Sequence, residues 1–136
     1  MAVLTAIRKI SFASGEAIPV LGQGTWHMAE DPRQRTKEIA ALRLGIEIGM
    51  TLIDTAEMYA DGGAEELVEE AIEGRRDEVF LVTKVLPHQA TVHGTIEACD
   101  RSLMRLSVAT STYLLHWRGA IPPEETLKAF DTLAMH

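Results

Sequence analysis

A single cysteine, Cys99, stands among the 136 residues, so neither an internal disulfide nor a CxxC metal site can be built. A reducing cytoplasm is the expected compartment, and no metal is expected. No apolar run reaches the length of about 18 residues that a membrane-spanning helix needs. Positive charge is scarce too: 13 Lys and Arg against 20 Asp and Glu give a formal net charge of -7, without a basic surface for nucleic acid. Met1 to Ile10 lacks the continuous apolar core and small-residue cleavage site of a signal peptide. Internal repeats, low-complexity tracts and linker-like stretches are also absent, so residues 1–136 read as a single domain whose 46% hydrophobic content suffices for a core.

What is present is alternation. Ile7 to Phe12 and Ala17 to Val20 flank a Ser14-Gly15-Glu16 turn and predict a β-hairpin that covers the main sheet. Val20 to Trp26, VLGQGTW, predicts a first main strand whose glycines imply close approach of backbone or ligand. Asp31-Pro32 predicts a helix start, with Ile39, Leu42 and Ile46 at helical spacing and Gly49 as its stop. Thr51 to Tyr59, TLIDTAEMY, opens with an apolar, β-branched run that predicts a buried strand ending on Asp54, with Tyr59 five residues later. From Ala64 to Ile72 a helix sets Leu67, Val68, Ala71 and Ile72 against Glu65, Glu66, Glu69, Glu70 and Glu73 on the other face. Val79 to Val85 is a third strand, Thr91 to Leu106 a third helix through Ile96, Cys99, Leu103 and Leu106, and Thr112 to Trp117 a fourth strand. Pro122-Pro123-Glu124-Glu125 opens a last helix that runs to the terminus.

Strands apolar on both faces and alternating with helices predict an α/β fold of four parallel β/α units with right-handed crossovers. Two architectures fit: a small open parallel sheet, or the amino-terminal half of a (β/α)8 TIM barrel, whose full form needs about 250 residues. Side chains at the carboxyl ends of the strands are then the candidates for chemistry. Asp54, Lys84 and His116 occupy such ends on successive strands, and Tyr59 follows Asp54 in the next loop. Neighbouring strands about 4.8 Å apart bring such groups within roughly 10 Å of one another.

Each residue alone has a structural explanation. Asp54 can cap a turn, Lys84 can be a paired core cation, His116 a satisfied core histidine and Tyr59 a surface residue. Together they make a proton donor. A tyrosine ordinarily loses its proton near pH 10, an adjacent ammonium favours the phenolate, and a carboxylate keeps that ammonium charged and in place. Asp54 would hold Lys84, Lys84 would tune Tyr59, and His116 would donate a hydrogen bond to a carbonyl oxygen as charge develops there. Such a site suits carbonyl reduction, with hydride supplied by a cofactor.

GTW at Gly24 to Trp26, DTAEMY at Asp54 to Tyr59, TKV at Thr83 to Val85 and LLHW at Leu114 to Trp117 resemble the aldo-keto reductases in order and spacing. The likeness runs from about Ile18 to the terminus. RRDEVFLVTKVLP and LLHWRG are most similar to bacterial members. The resemblance implies a (β/α)8 barrel preceded by a β-hairpin and an NADPH-dependent reduction of aldehydes or ketones to alcohols. It makes Tyr59 the general acid, Lys84 and Asp54 its tuning pair, and His116 the substrate-orienting group. It further implies that Gly24, Thr25 and Asp54 lie near the nicotinamide end of NADPH, and that Trp26, Met58, Leu86 and Trp117 line the substrate pocket.

The sequence departs from that family in two places. Ser107 to Thr112, SVATST, is about one residue shorter than the GTDYIDL-like stretch usual in relatives, so the shift must be absorbed before Tyr113 if His116 is to face the site. The strands five to eight that in the family carry most of the cofactor contacts are not in this sequence. Two function classes follow: an NADPH-dependent carbonyl reductase acting on a small-molecule substrate, of which this is the amino-terminal half, or a catalytically incomplete remnant serving as a folding or interaction unit. Either way, open barrel edges are expected to favour self-association.

Overall fold

A computed structural model describes residues 6–135 of the chain; the part of the leader reading that concerns residues 1–5, and the last residue of the final helix reading, lie outside them. The hairpin is formed by β1 (Lys9–Ser11) and β2 (Ala17–Pro19), antiparallel with Ile10 opposite Ile18. Gly15 takes the left-handed turn position at φ +93°. The Phe12 ring lies 6.0 Å from that of Phe80, at the start of a main strand, which seats the hairpin against the amino end of the sheet.

The main sheet has four parallel strands in sequential order: β3 (Gly22–Gly24), β4 (Leu52–Asp54), β5 (Phe80–Val85) and β6 (Thr112–Leu115). Two are shorter than expected by two residues or more. Expected over Val20 to Trp26, β3 keeps only its glycine-flanked centre, because the chain turns away where His27 and Ala29 adopt left-handed backbone at φ 67° and 64°. Gly22 is required where it stands, since a Cβ there would sit 2.8 Å from the Leu52 carbonyl oxygen. Expected to reach Trp117, β6 ends at Leu115, although the His116 N–H still donates to the Val85 carbonyl at 3.0 Å.

The helices are α1 (Arg35–Glu47), α2 (Gly63–Ile72), α3 (Val92–Leu106) and α4 (Pro123–Leu133). The Asp31-Pro32 start opens one 3-10 turn, Pro32–Gln34, ahead of α1, and the Asp31 carboxylate accepts from the Arg33 N–H at 3.0 Å. Past α1, Gly49 supplies the left-handed residue at φ +95°, and the Thr91 hydroxyl caps α3 by accepting from the Gly94 N–H. The helices pack in order along one face of the sheet, where Leu42 and Ile46 of α1, Leu67 and Val68 of α2, and Leu106 of α3 meet Ile53 and Leu81. Each such side chain contributes about 1.5–3 kcal/mol on burial. None of the helices among the described residues is long and apolar enough to cross a membrane.

One face of α2 is not as expected. Expected among the solvent-facing glutamates, Glu65 is fully buried. It precedes Val68 by three residues and Ile72 by seven, which puts it on the core side of the helix. There its carboxylate accepts from the Thr83 hydroxyl at 2.6 Å and from Arg105 of α3 at 3.0 Å.

Candidate active site

The carboxyl ends of the four strands assemble the predicted residues at one opening. Gly24 is aligned with Asp54, Asp54 with Val82, and Lys84 with Leu114, so the side chains of Asp54, Val82, Lys84 and Leu114 share the sheet face turned away from the helices. Tyr113 and Leu115 then point to the helices, and the Tyr113 ring meets Phe130 of α4 at 6.0 Å. His116 falls on the same side as Lys84. The short stretch 107–111 therefore absorbs its missing residue before β6 begins: Ser107 takes a left-handed cap at φ 50°, and the Val108 N–H closes back onto the Leu103 carbonyl.

Lys84 is the hub. Its Nζ donates to Asp54 Oδ2 at 2.8 Å and to the Thr55 carbonyl at 2.8 Å, and it stands 3.4 Å from the Tyr59 hydroxyl. Its side chain is only 12% exposed, so these acceptors replace water around the cation, while the Asp54 carboxylate at 42% remains half in solvent. The ammonium also lies 5.1 Å from the Tyr59 ring centroid. His116 meets the Tyr59 ring edge-on, with centroids 5.6 Å apart at 85°. Burial lowers the pKa of His116, and the Lys84 charge pushes in the same direction against the smaller opposing pull of Asp54 and Glu57. Both effects favour the neutral imidazole. Its Nδ1 is buried without a hydrogen-bond partner among the described residues. We assign the single N–H to Nε2, because an orphaned acceptor is the less costly group to bury and Nε2 is the nitrogen left to face a ligand.

The turn that presents Tyr59 is strained. Its N–H donates to the Ala56 carbonyl at 3.1 Å, and Ala60, Asp61 and Gly62 then follow in left-handed conformation, at φ 49°, 52° and 86°. Two consecutive non-glycine residues in that region are uncommon, and such strain gathers where a side chain must be aimed.

Around this centre stand the other expected residues. Gly24 faces open space, since an added Cβ would have no neighbour within 4 Å. Thr25 is fully buried, and both its N–H and its hydroxyl bind the Asp54 carbonyl at 3.1 Å, locking the ends of β3 and β4 together. Trp26, Met58, Leu86 and Trp117 lie on the loops after β3, β4, β5 and β6 in turn. Trp26, Met58 and Trp117 are 66%, 44% and 50% exposed. Sequence reasoning misses Glu57 and sets Glu65 on the wrong face of its helix. Glu57 carries no periodic signal, whereas the helical spacing of Glu65 to Val68 and Ile72 was readable.

Comparison with known proteins identifies the family and the fold. The model of the Aldo/keto reductase family matches residues 20–135. Methylglyoxal reductase YeaE of Escherichia coli K12 is 54% identical over 127 residues, which cover 93% of this chain and 45% of that protein. Among solved structures, an aldo-keto reductase from Klebsiella pneumoniae in complex with NADPH superposes with a TM-score of 0.90 at 50% identity, covering 96% of this chain and 46% of that one. Another from the same organism, in complex with NADP and acetate, gives 0.89 at 52% identity, over 93% and 45%. The four β/α units are thus half of a (β/α)8 barrel, and the chain spans about half the length of the relatives it matches. Extending through all four units and the strand ends that gather Asp54, Tyr59, Lys84 and His116, the match shows that this chain belongs to the aldo/keto reductase family.

Proposed function

We propose that this chain is the proton-donating half of an NADPH-dependent reductase that converts small aldehydes or ketones to alcohols. The observation that carries the reading is the placement of Lys84 Nζ, bound to Asp54 and to the Thr55 carbonyl and 3.4 Å from the Tyr59 hydroxyl. A carbonyl seated over Tyr59 accepts a hydrogen bond from His116 Nε2, which fixes its oxygen beside the phenol. As the C=O π pair moves onto oxygen, Tyr59 gives up its hydroxyl proton to form the alcohol, and the Lys84 ammonium stabilises the phenolate left behind. Asp54 and the Thr55 carbonyl hold that ammonium charged and stationary. NADPH, when bound with its nicotinamide near Gly24, Thr25 and Asp54, supplies the hydride for the carbonyl carbon.

Two relatives support the substrate class: one is named a methylglyoxal reductase, and one structure holds NADP and acetate, a small oxygen-bearing ligand. Trp26, Met58, Leu86 and Trp117 would form the apolar rim against which such a substrate packs. The test joins this chain to the carboxyl-terminal half of the Klebsiella pneumoniae reductase and compares the chimera with its Tyr59→Phe variant. NADPH-dependent reduction of methylglyoxal is expected from the parent, and a loss of roughly 10²-fold or more in kcat with unchanged NADPH affinity from the variant. An undiminished rate in Tyr59→Phe would overturn Tyr59 as the acid.

A further inference from the structure

Between Asp54 and Tyr59 the chain leaves β4 and crosses the end of β5, and three tethers hold it there. The Thr55 N–H donates to the Val82 carbonyl at 2.8 Å, and the Thr55 carbonyl accepts from Lys84 Nζ at the same distance. The third is made by a side chain with no place in the chemistry above. Glu57, 6% exposed, turns its carboxylate into the protein, where Oε1 accepts from the Leu86 N–H at 3.0 Å. Arg101 of α3 stands 3.7 Å from Oε2 and also binds the Gln89 side chain. A buried carboxylate is costly unless paired and hydrogen-bonded, so its place here depends on these two partners.

The position of this tether matters. Leu86 lies two residues beyond Lys84 and Glu57 two residues before Tyr59, so one hydrogen bond spans the two segments whose separation sets the distance from ammonium to phenol. That distance, 3.4 Å, is already at the long end for a hydrogen bond, and beyond Tyr59 the turn continues through strained left-handed residues. We propose that Glu57 is a positioning residue for Tyr59: its carboxylate, steadied by Arg101, pins the turn that carries Tyr59 to the strand end that carries Lys84. This rests on the reading of Tyr59 as proton donor for its functional consequence, and on geometry alone for its structural one. Displacements of about 1 Å at a reacting group can cost as much as 10²-fold in rate.

Both consequences can be measured separately. In the 136-residue chain with Tyr and His ring protons labelled selectively, the edge-on contact of Tyr59 with His116 gives an inter-ring NOE. Glu57→Ala is expected to lose that NOE, and Glu57→Gln to keep it, because an amide oxygen still accepts from the Leu86 N–H. Leu86→Pro removes the donor itself at a residue whose φ of -70° proline can adopt, and it too should lose the NOE. In the chimera, Glu57→Ala should lower kcat by roughly tenfold or more with KM and NADPH affinity nearly unchanged, and Glu57→Gln should restore most of it. Retention of the NOE in both Glu57→Ala and Leu86→Pro overturns the proposal whatever the activity. So does a Glu57→Gln variant as impaired as Glu57→Ala. A normal rate in Tyr59→Phe beside a lost NOE in Glu57→Ala would instead overturn the reading of Tyr59 and leave the positioning contact standing.

Discussion

The fully buried Glu65 carboxylate on α2 accepts a 2.6 Å hydrogen bond from the hydroxyl of Thr83, the residue next to Lys84 on β5. Its other oxygen takes Arg105 Nη1 at 3.0 Å, so the charge is balanced from α3. Successive residues of β5 thus serve opposite faces: Thr83 anchors the strand to the helices, and Lys84 reaches the opening. Arg105→Met leaves this carboxylate buried with one neutral donor and is expected to destabilise the protein by about 3 kcal/mol, somewhat less if water enters beside the partly exposed arginine site. Glu65→Leu combined with Arg105→Met should recover much of that loss, because the uncompensated charge goes with its partner. Urea unfolding of the single and double variants checks it; additive losses would show that the two side chains do not act as a pair.

Lys84→Met tests the hub. The replacement is apolar and of similar length, and the Asp54 carboxylate it leaves unpaired is 42% exposed and can be hydrated, so stability should fall less than in Arg105→Met. In the chimera, kcat should fall by roughly 10²–10⁴-fold, because the phenolate left after proton donation loses its neighbouring cation. A tenfold or smaller effect, measured with folding verified by circular dichroism, would place the stabilising charge elsewhere.

His116 predicts a pH dependence of stability. Its folded-state pKa lies below the ordinary 6.5, chiefly through burial and then through the charge of Lys84. The unfolded chain therefore binds the proton more readily than the folded one. The contribution of neutral His116 is present above pH 6.5 and is lost as pH falls through the lowered folded value. His116→Gln removes this linkage. The stability of the parent should drop more steeply with acid than that of the variant, as read from Tm across that window, and parallel curves would refute the assignment.

The fold was legible because its strands are short apolar runs with turn residues between them, and the site because its polar residues break those runs at the carboxyl ends. Val79 to Val85, VFLVTKV, is a largely apolar strand interrupted by one lysine, and that interruption is itself the signal. Other features had no such mark. Nothing in the sequence distinguishes His27 and Ala29 as left-handed residues, so the early exit of β3 was not visible. The burial of Glu57 depends on Leu86 and Arg101, 29 and 44 residues further along, and a carboxylate becomes a tether only when the fold brings such partners to it. Glu65 is a different case, since helical spacing placed it among the apolar residues and its charge argued for the wrong face.

The edges of the sheet predict association. Among the described residues β3 and β6 each pair on one side only, and Leu21 and Leu114 beside them are 57% and 43% exposed. Unpaired backbone groups flanked by exposed apolar side chains are a template for another strand. The 136-residue chain is expected to sediment as a concentration-dependent oligomer and the chimera as a smaller, concentration-independent species. A clean monomer of the 136-residue chain across a wide concentration range would count against these edges being available.

The last prediction separates proton donation from hydride delivery. Asp54, Tyr59, Lys84 and His116 are all gathered at the opening, so the acid half of the proposed reaction is assembled within this chain. Hydride transfer also needs a nicotinamide held in near-attack geometry, and such positioning can supply about 7–11 kcal/mol of a barrier. In the proposed reading this chain would contribute to it only through Gly24, Thr25 and Asp54; the relatives it matches are about twice as long. The 136-residue chain alone is therefore expected to bind NADPH weakly or not at all and to show little turnover, whereas the chimera reduces small aldehydes. NADPH fluorescence titration and loss of NADPH absorbance, run on both proteins with methylglyoxal, decide it. Robust turnover by the 136-residue chain would mean that its strand ends hold the cofactor unaided, and tight NADPH binding without turnover would move the deficit from the cofactor to the seating of the carbonyl over Tyr59.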